Sequence, residues 1–461
     1  MPELDPFFAE WARRRPGRTR SLERAEALMD ALGLHRRPPV LGVVGSKGKG
    51  STATTAAAAL ASAGLRTVLV TGPSFRSYRE RVRVDGTSVT DAELDTLGAR
   101  IDAARRELPP SDGYLAPSGL FLMAGLLCAR DVDADVCVLE AGMGGHRDEL
   151  RLVGPEVVAL GRVFGEHLGV LGDTVEEIAR EKARVAGDGT LAMVSLPQTA
   201  EAVAGVDSAL AEATGGRVRA EVVDPERPGV EPPPGLRPPG LSAASGVLGT
   251  AAAERMLDHL GRPPLDPERL HAVLGTVRLP GRLSRHVVPA GGSARVAGHD
   301  GAAGEPEGFD ARGGRGGRGT RGGAPDTGGT SGTRAVPGPD VTSDTEVIVD
   351  SAIDRHGVTA ALAHARGVWG GVDHVLLCLP DHKDVSGAVE VLGDLPVTAV
   401  RLPEAHLRFE HELPGHWGRV DAADLTAYLP ALGGRVLALG TVYFTGRVLE
   451  AVDAPTDRLF G

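Results

Sequence analysis

Val40-Leu-Gly-Val-Val-Gly-Ser-Lys-Gly-Lys-Gly-Ser-Thr52 is the stretch that decides the fold. Val40 to Val44 is apolar throughout and reads as a buried strand, and the Ala-rich run Ala53 to Ala63 reads as a helix. The turn between them is rich in glycine and carries Lys49, Ser51 and Thr52. A strand, a glycine loop and a helix N-terminus make an anion cradle, because backbone N–H groups and the helix dipole point at a phosphate. Glycine lets the backbone approach closely, Lys49 would reach the β- and γ-phosphates, and a hydroxyl would hold Mg²⁺. The strict pattern G-x-x-x-x-G-K-[ST] is not met. Gly50 separates Lys49 from Ser51, and Val43 stands where the first glycine belongs. The plainer reading is an ordinary Gly-rich turn between strand and helix.

Outward from this loop the chain alternates strands and helices. Val68 to Val70 is the next strand, so the loop belongs to a βαβ unit, which favours a parallel sheet. Upstream, residues 1 to 38 read as helical and end at Gly33. Thr71 to Gly86 reads as an arginine-rich loop, either solvated or facing an acidic substrate. Val136 to Glu140 is a strand ending on a carboxylate. Ligands of open α/β sheets sit beyond the carboxyl ends of strands, so Glu140 is placed as a Mg²⁺ ligand. Strand Val157 to Leu160 leads to Glu166-His167, then to a helix capped by Asp173 or Thr174 and carrying Lys182 near its end. Helices over 200–213 and 245–260 follow, and Pro280-Gly-Arg282 closes the first unit.

Residues 289 to 343 change character. Gly313 to Gly323 is a low-complexity Gly/Arg run, and Phe309 is the one aromatic in the segment. It reads as a flexible interdomain insertion, with RNA contact as the alternative. From Glu346 onward, strands at 347–349, 375–377, 397–402 and 436–439 alternate with helices at 357–366, 384–392 and 422–431. The fold class is therefore α/β: a phosphate-loop domain with a mostly parallel sheet over 1–285, a linker over 286–345, and a smaller Rossmann-like α/β domain over 346–461.

Composition narrows the function classes. Of the 461 residues 42% are apolar and 24% charged, as in ordinary globular proteins, and the net charge of −11 argues against non-specific nucleic-acid binding. Cys128, Cys137 and Cys378 lie inside apolar runs without metal-ligand spacing and read as buried reduced thiols. With no basic n-region before an apolar stretch and no run of about 18 apolar residues, a cytoplasmic, monomeric protein is expected.

With these pieces in order, the chain resembles the folylpolyglutamate synthase/dihydrofolate synthase family of Mur-type ATP-dependent amide ligases. Gly45 to Thr52 is similar to that family's GTNGKGST loop, Pro73 to Gly86 to its SPH…ERI…G loop, and Glu140 to Gly145 to EVGLGG. Glu166-His167 stands where the family has DH, and Leu171 to Lys182 matches LGDTxxxIAxEK. Pro280 to Arg282 matches PGR, Asp350 to His356 a degraded DGAHNPH, Lys383-Asp384 KD, and Gly440 to Tyr443 GSLY. The resemblance implies an enzyme that phosphorylates a carboxylate with ATP and lets an amino-acid amine attack the acyl phosphate. It implies that Gly45, Gly48, Lys49, Gly50, Ser51 and Thr52 hold the phosphates, with Arg282 and Asp350 on the nucleotide. Ser51 and Glu140 would bind one Mg²⁺ and His167 a second. Lys49, His167 and Lys182 would be catalytic, Lys182 as the lysine carbamylated in relatives.

Departures fall mostly on the substrate side. Ile353, Asp354 and Arg355 replace the His, Asn and Pro of DGAHNP; Ser74 replaces the His of SPH; Thr441 replaces the Ser of GSLY. Lys47 replaces the loop Asn and Leu279 the Trp before PGR; HQxxN is not recognisable; His146 to Arg151 stands in place of R-x-DATN. The expected substrates are a small carboxylic acid and an amino acid that differ from folate and glutamate, with true folate synthesis and a non-catalytic nucleotide-binding protein as alternatives.

Overall fold

A computed structural model describes residues 6–14, 17–290, 343–404 and 407–461. Apolar runs in the sequence become fully buried strands, because helices cover both faces of a mostly parallel sheet. In spatial order the eight strands of the first sheet are Thr87–Ser88, Val82–Val84, Thr67–Val70, Val136–Glu140, Val40–Val44, Val157–Leu160, Ala192–Ser195 and Ala220–Val222. The first two run antiparallel and the rest are parallel. Val40–Val44, every residue buried, sits between the strands that carry Glu140 and Leu160. Val43 is in register with Glu140, so strand pairing brings the carboxylate level with the entrance of the glycine loop.

The second sheet has six strands in the order Gly418–Asp421, Val397–Arg401, His374–Cys378, Gly434–Gly440, Thr345–Asp350 and Arg282–Val288. Only the last pair is antiparallel. Arg282–Val288 thus pairs in the second sheet, so the sheets divide before Arg282 rather than at 285. Thr345 lies opposite Val288. The Gly/Arg-rich run 313–323 lies outside the described residues.

Several local expectations are corrected. Residues 1–38 are not one helical stretch: Ala9–Ala12 and Leu22–Ala31 are separate helices, with Pro16 and Gly17 between them. The interval 422–431 holds only a 3₁₀ turn, Ala422–Asp424, and the short helix Leu425–Tyr428. The helix Asp91–Arg106 escapes a search for apolar stripes because it is polar overall, yet Thr90 and Glu93 form a capping box at its start.

The arginine-rich segment after Thr71 is not a solvated loop, and two of its arginines, Arg83 and Arg81, border a cleft at Glu140 and the cavity beyond it. It contains the strands Val82–Val84 and Thr87–Ser88, and its arginines grip residues 453–457. Arg83 is 3% exposed and donates to the carbonyls of Thr456 and Asp457, each at 2.7 Å. Arg79 pairs with Asp457 at 2.6 Å, and Arg76 donates to the carbonyl of Ala454. Leu459 and Phe460 then enter the core between the first sheet and its helices. The three cysteines are buried and unbridged, and burial pushes the Cys137 thiol up to about 12. Among the described residues no helix is long and apolar enough to cross a membrane.

Candidate active site

The glycine loop ends on Gly48, whose φ of +80° starts the helix Lys49–Ser62 from a left-handed residue. A side chain there would be strained, and its Cβ would stand 2.3 Å from Ser245 Oγ on the neighbouring helix Ala243–His259. Gly50, the residue that spoils the strict motif, faces Glu140: a Cβ at that position would lie 3.4 Å from Glu140 Oε2. A Cβ there would be in ordinary van der Waals contact with the carboxylate, so the loop backbone passes directly beside Glu140. Lys49 Nζ donates to the carbonyl of Gly45 at 3.3 Å, and Ser51, 3% exposed, lies 3.3 Å from Ser242 Oγ. Thr52 is buried, its N–H donating to the carbonyl of Gly48 at 2.9 Å.

Gly50, Ser51, Glu140 and Arg282 line one cleft, together with Ser74 and Phe75. Glu140 Oε2 accepts from the N–H of Gly72 at 2.9 Å. Burial pushes the Glu140 carboxyl up, and the charge of Lys49 is the strongest opposing influence. The oxygen donors Ser51 and Glu140 are the hard-ligand chemistry that Mg²⁺ takes. These two residues fit a cation. A second cavity, of about 200 Å³, lies beyond Glu140 and is bounded by Arg81, Ser118, Phe121 and Gly142.

Arg282 reaches the cleft from the start of the second sheet, its guanidinium 5.7 Å from the centre of the Phe75 ring. Asp350 ends the neighbouring strand and accepts from the N–H of Leu283 at 3.0 Å. Burial raises the Asp350 carboxyl to about 6 against the attraction of Arg282. Both sheets therefore bring strand-end polar groups toward the same loop.

Lys182 is fully buried, pairs with Glu166 Oε1 at 2.8 Å and donates to the carbonyl of Met143 at 3.0 Å. Burial lowers its ammonium, Lys49 pushes the same way, and Glu166 opposes them. The side chain is held by Glu166, while its burial works against the ammonium form. His167 is exposed, at φ +48°, and is not among the residues lining the cleft. Its carbonyl accepts from Val170 and Leu171, and its imidazole makes no hydrogen bond or ion pair among the described residues. Among those residues no three His, Cys, Asp or Glu side chains gather to hold a metal. The residue set on His167 is thus not assembled here as it is on Ser51 and Glu140.

Sequence reasoning missed Ser242 and Ser245, which border the loop, and Thr456, which borders the cleft. No local motif marks them, because each arrives from an element remote in sequence.

No family model matches the chain. The chain is 39% identical over 160 residues to a probable bifunctional folylpolyglutamate synthase/dihydropteroate synthase of Halobacterium salinarum, covering 34% of this chain and 19% of that protein. It is 31% identical over 189 residues to the dihydrofolate synthase/folylpolyglutamate synthase of Escherichia coli, covering 40% and 43%. With the corresponding protein of Mycobacterium tuberculosis it shares 29% identity over 298 residues, covering 58% and 61%. The matched stretch spans less than two thirds of each relative's length. Among solved structures, M. tuberculosis folylpolyglutamate synthase complexed with ADP superposes with a TM-score of 0.71 at 18% identity, covering 97% of each chain. The apo form of the L. casei enzyme gives 0.69 at 19% identity, covering 97% of this chain and all of that one. Similarity at that identity speaks for the fold, and the sequence relatives that the chain matches, each over part of its length, are folylpolyglutamate and dihydrofolate synthases.

Proposed function

We propose that the protein is an ATP-dependent ligase that converts a carboxylic acid to its acyl phosphate and joins it to the amine of an amino acid. The observation that carries this reading is the single cleft in which the glycine loop, Glu140 and the second sheet's Arg282 meet. Lys49 and the loop amides grip the phosphates of ATP, and Arg282 and Asp350 engage the nucleotide from the second unit. Mg²⁺ held by Ser51 and Glu140 would neutralise charge on the transferring phosphoryl group. Lys182, buried beside the loop, extends this positive and metal-directed surface, and carbamylation would convert it to an anion. Closure of the second unit excludes water from an acyl phosphate that would otherwise hydrolyse.

The acid and amino acid differ from folate and glutamate in this reading. Ile353, where the family has a histidine, packs against the apolar core of the second unit and offers no hydrogen bond to a substrate. ADP release measured across pterin and non-pterin acids with several amino acids tests the proposal. Turnover must vanish on Lys49→Ala and Glu140→Ala. Robust turnover of dihydropteroate or tetrahydrofolate with glutamate would refute the altered specificity and leave a true folate enzyme. Absence of any Mg²⁺-dependent ATP consumption would leave a nucleotide-binding protein without chemistry.

A further inference from the structure

Two of the departures from the family pattern meet in space. Lys47 stands in the glycine loop in place of the family's Asn, and Asp354 stands in the second unit in place of another Asn. Lys47 Nζ donates to Asp354 Oδ2 across 307 positions of sequence. The segments that carry them are each anchored. Asp354 Oδ1 accepts from the N–H of Gly357 at 2.8 Å and so caps the helix Arg355–Trp369. The N–H of Arg355 is in turn held by Asp384 Oδ2 at 2.9 Å. On the other side, the N–H of Ser46 donates to the carbonyl of Arg162 at 3.1 Å, and the N–H of Phe164 to Ser46 Oγ at 3.3 Å. Lys47 Nζ lies 5.7 Å from the centre of the Phe164 ring. The ion pair thus joins an anchored loop to an anchored helix start.

We propose that Lys47 and Asp354 are a matched pair that docks the phosphate loop on the second unit and so positions Arg282 and Asp350 over the cleft. Each replacement alone looks like damage to a binding site. Together they substitute an ionic contact for whatever two amides do at those places. Asp354 also occupies the Lys47 ammonium, which leaves Lys49 as the loop cation free to meet phosphate. Both are positioning residues rather than catalytic ones, and this role rests on the ligase reading above only for its effect on turnover.

A double-mutant cycle with Lys47→Asn, Asp354→Asn and the double variant tests the pair. Asparagine caps a helix as well as aspartate, so Asp354→Asn removes the charge and keeps the cap. For a half-exposed pair each single change is expected to lower kcat for ADP release about three- to fivefold, with KM for ATP less affected. The double variant should be no worse than either single one, and raised ionic strength should weaken the wild type toward the variants. A second arm needs no activity: amide hydrogen exchange of segments 44–52 and 351–360 in the free protein. Each single substitution should speed exchange in both segments together. Additive losses in turnover, a defect confined to KM for ATP, or exchange that rises only in the segment bearing the substitution would overturn the pair. If the wild type releases no ADP, the ligase reading falls and the exchange arm alone decides the docking.

Discussion

Replacing Glu149 by glutamine should stabilise the protein by about 3 kcal/mol above neutral pH and by under about 1 kcal/mol near pH 5. Glu149 is 1% exposed, and neither carboxylate oxygen has a hydrogen-bond partner in another residue. Arg20 Nε stands 3.4 Å away, while Asp148, fully buried, adds a second negative charge beside it. Burial raises the Glu149 carboxyl to about 7 from an ordinary 4.5, with Arg20 pulling the other way. The folded chain therefore holds this proton more tightly than the unfolded chain. Its contribution to stability is complete below about pH 4.5 and is lost as pH rises to about 7. At about 1.4 kcal/mol per tenfold change in proton affinity, the ionised side chain costs at most about 3 kcal/mol. Glutamine copies the shape of the protonated acid and cannot ionise. Urea unfolding of both chains at pH 5 and pH 8 measures the difference in favour of the variant: under about 1 kcal/mol at the first and about 3 kcal/mol at the second. Parallel pH profiles would refute the reasoning, because they would mean that Glu149 keeps its charge satisfied in the fold.

Further outcomes follow from other contacts. Arg83→Ala removes two hydrogen bonds from a buried guanidinium to the carbonyls of Thr456 and Asp457 and should cost about 3–4 kcal/mol in urea unfolding, with residues 453–461 becoming open to proteolysis. Gly48→Ala forces a left-handed residue and drives a Cβ toward Ser245, so binding of a non-hydrolysable ATP analogue by calorimetry should weaken at least about tenfold. Replacing residues 291–342 by a short turn should preserve the melting transition and nucleotide binding, since Val288 faces Thr345 and the N–H of Ala290 donates to Asp344 Oδ1 at 3.0 Å. Lys182→Met leaves Glu166 beside an apolar side chain. Turnover should fall by at least about a hundredfold, and the unfolding free energy by about 1–3 kcal/mol, since Glu166 keeps partial access to water.

What was legible in the chain is what is written locally. The strand Val40–Val44, the glycine loop and the strand-end carboxylate Glu140 each announce themselves by an apolar run broken at a polar residue, and sheet register then brings loop and carboxylate level. Helix bounds followed from apolar stripes and from caps such as Thr174, which accepts from the N–H of Glu177. The role of the arginines after Thr71 was not legible, because the carbonyls they hold lie more than 370 positions away and carry no side-chain signature. The Lys47–Asp354 contact was hidden for a related reason. Each residue read alone is a departure from a pattern, and only their proximity makes them a pair. His167 shows the converse: a motif position that the backbone leaves exposed and outside the cleft.

Residues 457–460 return to the first sheet: the N–H of Ser88 donates to the carbonyl of Asp457, the N–H of Arg278 to the carbonyl of Leu459, and the N–H of Leu459 to the carbonyl of Gly86. The chain therefore crosses between the two units near Arg282 and again near Ala454. A body attached at two separated points behaves like a door on two hinges rather than a weight on a string. Of three rotations only the one about the line joining the attachments stays soft. The ion pair between Lys47 and Asp354 is a third link between the two units.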